Sequence, residues 1–119
     1  MLGIHDLSIA LQALVAASVF FVWVVRYPNI VEEFKQWGLP GWLRDSVGIA
    51  KLTFALLLVI GIERRQFAVV GGIGLGLLMV AAFGTHVRVR NPVSKMLPSV
   101  TLFAISLLIA GINYWFLTR

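Results

Sequence analysis

The chain has 119 residues, 60% of them hydrophobic, with a mean hydropathy of +0.94 and a net charge of +5. A soluble domain this small cannot hide that much apolar surface from water, so the composition points to one integral membrane domain, residues 1–119. The absence of cysteine excludes disulfides, Cys-ligated metals and thiol catalysis; basic residues that sit between apolar blocks, rather than along one surface, argue against nucleic acid.

The N-terminal run lacks a basic leader, and its apolar stretch is too long for a cleavable signal peptide. Residues 7–25 are therefore expected to form a first spanning helix, with Ala13 and Ala17 small enough for close packing and with Arg26 and Tyr27 at its end. Over residues 29–37, Ile30, Val31, Phe34 and Trp37 recur at helical spacing, with Glu32, Glu33, Lys35 and Gln36 between them. That pattern predicts a short amphipathic helix in the membrane interface, closed by Gly38 and the turn Leu39-Pro40-Gly41. Trp37 and Trp42 suit the headgroup zone.

A second span is expected over 46–62, with Asp45 placed to cap it. Lys51 stands six residues past Asp45, ~9 Å along the helix axis. Two readings of it stay open. It snorkels toward the loop surface, or it faces the bundle interior against a carboxylate or a bound polar head. Glu32 and Glu33 read as solvated faces, or one of them folds over the bundle mouth as partner to Lys51 or Arg26.

Glu63-Arg64-Arg65 leaves room only for a tight hairpin before a third span over 66–86. Its glycines, Gly71, Gly72, Gly74 and Gly76, superficially resemble a phosphate loop but lack the strand-to-helix setting such a loop needs. Gly72 and Gly76 share one helical face and are expected to pack against a neighbour. His86 either bonds a loop carbonyl or serves as a proton carrier or ligand donor, since imidazole titrates near neutrality. Val87 to Lys95 carries Arg88, Arg90 and an Asn-Pro turn, and a fourth span covers 96–117 with Pro98 in its first turn.

The expected fold is all-α: an integral membrane antiparallel four-helix bundle with a short amphipathic interfacial helix between helices 1 and 2. Such threading gathers Arg26, Tyr27, Asp45, Lys51, Thr85, His86, Arg88, Ser99 and Thr101 at one end. Gln12 and Asn113 lie at comparable depth toward the other, where hydrogen bonds across helices would act as glue. Arg26, Lys35, Arg44, Arg88, Arg90 and Lys95 fall on the loop surface, against Arg64, Arg65 and Arg119 opposite. The positive-inside rule then puts loops 1 and 3 in the cytoplasm, with a bacterial inner membrane as the expected location. His5 and His86 belong to opposite ends, so no metal site is expected, and no ligand set for haem or iron–sulfur is visible. Ser46, Ser94, Ser99 and Thr101 have no nucleophile-elbow motif around them, so no stand-alone catalytic constellation is visible and enzymatic activity stays open.

The run Gly48-Ile49-Ala50-Lys51-Leu52, then Ala55-Leu56-Leu57-Leu58 and a short charged turn, resembles the second helix of the DoxX-like family. The alanine-rich helix ending at His86 and the polar loop with Pro92 extend the resemblance over essentially the whole chain. It implies a small four-helix membrane protein. Founding members are associated with thiosulfate:quinone oxidoreductase, a mycobacterial relative with a membrane oxidoreductase complex, and a distant animal relative with receptor assembly. In many members of the broader group a glutamate occupies the position matching Lys51, and lysine points to the DoxX-like branch. Lys51 and His86 are the positions carried over.

Three function classes follow. The first is an accessory subunit that binds a lipophilic molecule, a quinone or lipid, at its loop-side mouth, while an oxidoreductase partner performs electron transfer. Lys51, His86, Arg88 and Arg26 would contact the polar head; Trp42, Phe54 and Phe83 would line the apolar part. The second is an assembly or structural subunit of a larger membrane complex. The third, an enzyme acting alone on a lipid, lacks a visible acid–base pair. Membrane lipids, and a membrane oxidoreductase or another membrane protein, are the expected partners; self-association is left open.

Overall fold

The computed structural model describes residues 3–90 and 93–118; the Asn91-Pro92 turn and Arg119 lie outside the described residues, as do the side chains of Val93, Ser94 and Lys95. The described residues form five α-helices and no strand.

Helix α1 spans Ile4–Phe20, and Asp6 in its first turn accepts a hydrogen bond from the Gly3 N–H at 3.0 Å. Its buried stripe is Ser8, Gln12, Val15, Ala16 and Val19, so Ala16 makes the close contact. Ala13 and Ala17, expected in that role, lie outside this stripe and are exposed. Over Phe21–Val25 the helix widens to π geometry, with the Arg26 N–H donating to the Phe21 carbonyl five residues back at 3.0 Å. The wider turn carries Trp23 inward to 7% exposure while Val22 and Val24 stay exposed.

The expected amphipathic helix runs over Tyr27–Gln36 as α2, burying Ile30 and Phe34 and exposing Glu32, Lys35 and Gln36. It ends in a Schellman turn: Leu39 N–H donates to the Phe34 carbonyl at 3.0 Å and Gly38 N–H to Lys35 at 3.1 Å. Gly38 supplies the left-handed φ of 72° that this turn needs.

Helix α3 spans Gly41–Ile60 and starts five residues before the expected position, because extended Pro40 (φ −72°, ψ 156°) serves as its N-cap. Asp45 therefore sits inside the helix and is not its cap. Lys51 stands ten residues into α3, roughly 15 Å from its start. Helix α4 spans Arg65–Arg88, and α5 spans Val93–Leu117, so Pro98 falls inside α5 rather than in its first turn.

Among the described residues, three helical stretches are long and apolar enough to cross a membrane: Ile4–Val25, Arg65–Arg88 and Met96–Leu117. The second expected span differs, because every 18-residue window of α3 contains Arg44, Asp45 and Lys51.

Helix α1 packs on α3 and α5, and α4 packs on the same two, in a molecule 46 × 24 × 23 Å. Leu58, Leu75 and Ile109 are completely buried between them. The glycines of α4 divide by face. Gly72 and Gly76 meet α5 at Ser106, Ala110 and Leu107, as expected for small-residue packing, while Gly71 and Gly74 meet α3 at Phe54 and Leu58. Large apolar side chains such as Phe20, Leu56, Leu77 and Leu108 remain on the outside. With the three apolar stretches, that surface is suited to lipid, and the protein is a membrane protein.

Candidate functional site

A cavity of about 540 Å³ opens at the end of the molecule where α2 folds back. Its size falls within the roughly 300–1,000 Å³ of small-molecule sites. Helix α2 is held there by its buried Ile30 and Phe34 and by a polar latch. In the latch, the Tyr27 hydroxyl donates to Asp45 Oδ1 at 2.9 Å, and Arg44 Nε donates to the same oxygen at 3.2 Å.

The Tyr27 hydroxyl first, and then the Arg44 guanidinium, hold the Asp45 carboxyl below its ordinary range. A depressed carboxylate pKa stabilises the fold above the unfolded value of about 3.9, and that contribution disappears as pH falls through the folded value. Acidification below about pH 4 should therefore loosen α2. The expected reading is greater quenching of Trp37 by an aqueous quencher below that pH. In Asp45→Asn, the quenching should already be raised at neutral pH.

Three of the seven sequence-predicted site residues line this cavity: Lys51, His86 and Arg26. Thr85, Ser99 and Glu33 join them. The other four do not line it. Trp42 is 70% exposed and Phe83 42% exposed, on outer faces of their helices. Arg88 is exposed at the end of α4, and Phe54 is wedged against Gly74 between α3 and α4. Thr101, expected at the same end, is exposed and off the lining.

A row of rings joins the two predicted polar groups. Lys51 Nζ lies 5.3 Å from the centre of the Trp23 ring. Trp23 meets Phe34 edge-on at 6.2 Å, Phe34 meets Trp37 at 5.5 Å, and Trp37 meets His86 edge-on at 5.4 Å. Gly48 provides the seat: a Cβ there would stand 2.8 Å from Trp23 Cε3. Gly48 and Lys51, one turn apart on α3, thus receive the same indole. Sequence reasoning missed Trp23. The signal available was the pairing of a glycine and a lysine three residues apart with a tryptophan at the end of the preceding helix.

A lysine at the centre of a spanning helix costs about 3 kcal/mol on insertion scales. A cation–π contact returns roughly 0.5–2 kcal/mol, so the Trp23 face does not balance Lys51 alone. Among the described residues, no ion pair joins Glu33 to Lys51 or Arg26. Nor do the described residues hold a group of three or more His, Cys, Asp or Glu suited to a metal.

The opposite end carries a different polar cluster. Ser8 Oγ donates to Gln12 Oε1 and Gln12 Nε2 to the Leu58 carbonyl, both at 2.8 Å. Asn113 Nδ2 donates to Ser8 Oγ at 2.9 Å, and Arg65 donates to Asn113 Oδ1 at 3.1 Å. Arg65 also pairs with His5 and stacks 4.1 Å over Phe116. Gln12 and Asn113 therefore act as the glue expected of them, tying α1, α3, α4 and α5 together. Replacing Gln12 by Leu strands the Leu58 carbonyl and disrupts the cluster. The expected loss is about 1–3 kcal/mol, read as a lower melting temperature in detergent with the α2-end cavity unchanged.

The sequence pattern of the DoxX-like family matches residues 7–109. A protein of Bacillus subtilis (strain 168) called uncharacterized protein YdgD is 28% identical over 92 residues, which cover 76% of this chain and 81% of that one. No solved structure matches.

Proposed function

The chain belongs to the DoxX-like family, and on that premise we propose that it is a small integral membrane subunit binding a lipophilic molecule, a quinone or lipid, for a membrane oxidoreductase. In this reading α3 from Ser46 onward makes a fourth crossing beside the three apolar stretches, with Arg44 and Asp45 outside it, giving an antiparallel four-helix bundle. Helix α2 lies in the interface over the bundle mouth. The positive-inside rule puts that mouth on the cytoplasmic side of a bacterial inner membrane. The site residues are Lys51, His86 and Arg26, with Trp23 and Trp37 as the aromatic walls.

The supporting observation is an ammonium group in a largely apolar cavity, against an indole face and without a carboxylate partner among the described residues. Lys51 and His86 are suited to donate to a quinone carbonyl or a lipid head group, and Val19, Met79 and Leu102 to enclose the apolar part. In this reading electron transfer belongs to the partner, since the sequence offers no ligand set for haem or an iron–sulfur cluster.

The test is purification in mild detergent followed by mass spectrometry of co-purifying small molecules, for the wild type and Lys51→Met. The reading expects a lipophilic species with the wild type that drops at least tenfold in the variant. Equal recovery from both, or none from either, contradicts it.

A second reading, an assembly or structural subunit, draws support from an apolar groove formed by Ile4, Leu107, Leu108, Gly111, Ile112 and Trp115. A protein partner recovered equally with both forms, with no small molecule, favours that reading.

A further inference from the structure

We infer that the occupant of the α2-end cavity is an anionic, single-chain amphiphile, with its negative head against Lys51 and its chain leaving between the helices toward lipid. This inference rests on the binding reading above and narrows it from lipophilic molecules in general to one charge class.

Among the described residues, the lining groups that carry fixed charge are Lys51 and Arg26 against Glu33, an excess of positive charge. Lys51 is the inner of the two cations; Arg26 is exposed at the edge. The Trp23 face accepts one side of the ammonium and leaves its other donors for a guest. A neutral carbonyl satisfies a donor but leaves the charge uncompensated; a carboxylate or phosphate does both.

The shape agrees with a head-and-chain molecule. The apolar walls include Val19, Met79 and Leu102. Of the exposed lining residues, Arg26 and Asn29 lie on the α2 side, while Val22, Ala81 and Pro98 belong to the π segment, α4 and α5, which are the stretches long and apolar enough to lie in a membrane. One side of the opening is therefore bordered by apolar side chains, as a hydrocarbon chain requires, and the other by Arg26 and Asn29. The polar part of the lining includes Lys51, Thr85, His86 and Ser99.

The test is equilibrium binding to the intact protein in a neutral detergent. The probes are a long-chain fatty acid, a lysophospholipid with a phosphate monoester head, the matching fatty alcohol and a neutral quinone analogue of similar length. The expected result is that at least one anionic probe binds tenfold or more tightly than the alcohol and the quinone. Comparing carboxylate with phosphate then identifies the head. The preference should vanish in Lys51→Met and persist in Lys51→Arg. Arg26→Gln should weaken it less than Lys51→Met does. A folded Lys51→Met is expected, because the change removes an uncompensated charge; its melting temperature checks this, and Lys51→Arg gives an independent reading.

Equal binding of the neutral and anionic probes in wild type, unchanged by Lys51→Met, overturns the charge inference while the lipophilic site survives. An anionic preference that persists in Lys51→Met overturns the assignment of the head to Lys51. Binding of none of the four overturns the inference and the binding reading together.

Discussion

Gly72→Ala should destabilise the protein by about 1–3 kcal/mol, whereas Gly84→Ala, on the same helix, should stabilise it by up to about 1 kcal/mol. Both changes improve helix propensity by the same amount, so any difference in sign must come from packing. At Gly72 an added Cβ would stand 2.7 Å from the Ser106 carbonyl oxygen, with Ala110 at 3.1 Å. The obstacle is the backbone of α5, which cannot rotate away as a side chain can. Helices α4 and α5 must separate, and Leu75 and Ile109, both fully buried, lose contact with their neighbours. At Gly84 nothing lies within 4 Å. Thermal unfolding in one detergent measures both. Equal effects at the two positions would mean that α4 and α5 are not packed as described.

Gly48→Val should empty the site of its tryptophan. The Cβ alone would approach Trp23 Cε3 at 2.8 Å and Cζ3 at 2.9 Å, and the two added methyl groups crowd the ring further. The indole is a side chain and can turn away, so the protein should stay folded at a cost of about 1–3 kcal/mol. The functional effect should exceed the stability effect. Lys51 loses the Trp23 face, Phe34 loses its edge contact, and the row of rings to His86 is broken at its first link. Recovery of the bound small molecule should fall at least tenfold, as in Lys51→Met. Quenching by an aqueous quencher should rise, and the rise should disappear when Trp23→Phe is added. Unchanged quenching and full recovery would remove Gly48 and Trp23 from the site.

Much of this was legible in the sequence for identifiable reasons. The apolar blocks, the short turn after Ile60 and the amphipathic pattern of α2 announce themselves through hydropathy and period. Gln12 and Asn113 were legible as a pair because two amides at equal depth in an apolar medium have few other partners. Lys51 and His86 stood out as polar groups in apolar surroundings, and the cavity brings them to one lining.

Other features were not legible. Phe54, Phe83 and Trp42 belong to helices whose apolar residues run around much of the circumference. Such a pattern carries little information about which face turns inward. Phe54 is drawn toward α4 by the space over Gly74, a pairing visible only once α3 and α4 are side by side. The early start of α3 at Pro40 made Asp45 a latch for Tyr27 instead of a cap. The widening at Phe21–Val25 shifts the phase of the helix, so a uniform period of 3.6 misassigns Trp23.

The proposed occupant of the cavity under α2 is an amphiphile held beside Lys51 and Trp23. Photolabelling tests it most directly. A fatty acid carrying a diazirine near its carboxylate is equilibrated with the intact protein, irradiated, and mapped by peptide mass spectrometry. Labels should concentrate on Trp23, Lys51 and their neighbours on the π segment and α3, and fall with unlabelled fatty acid and with Gly48→Val. Labels spread over the outer residues Leu56, Leu77 and Leu108, without competition and without response to Gly48→Val, would contradict it.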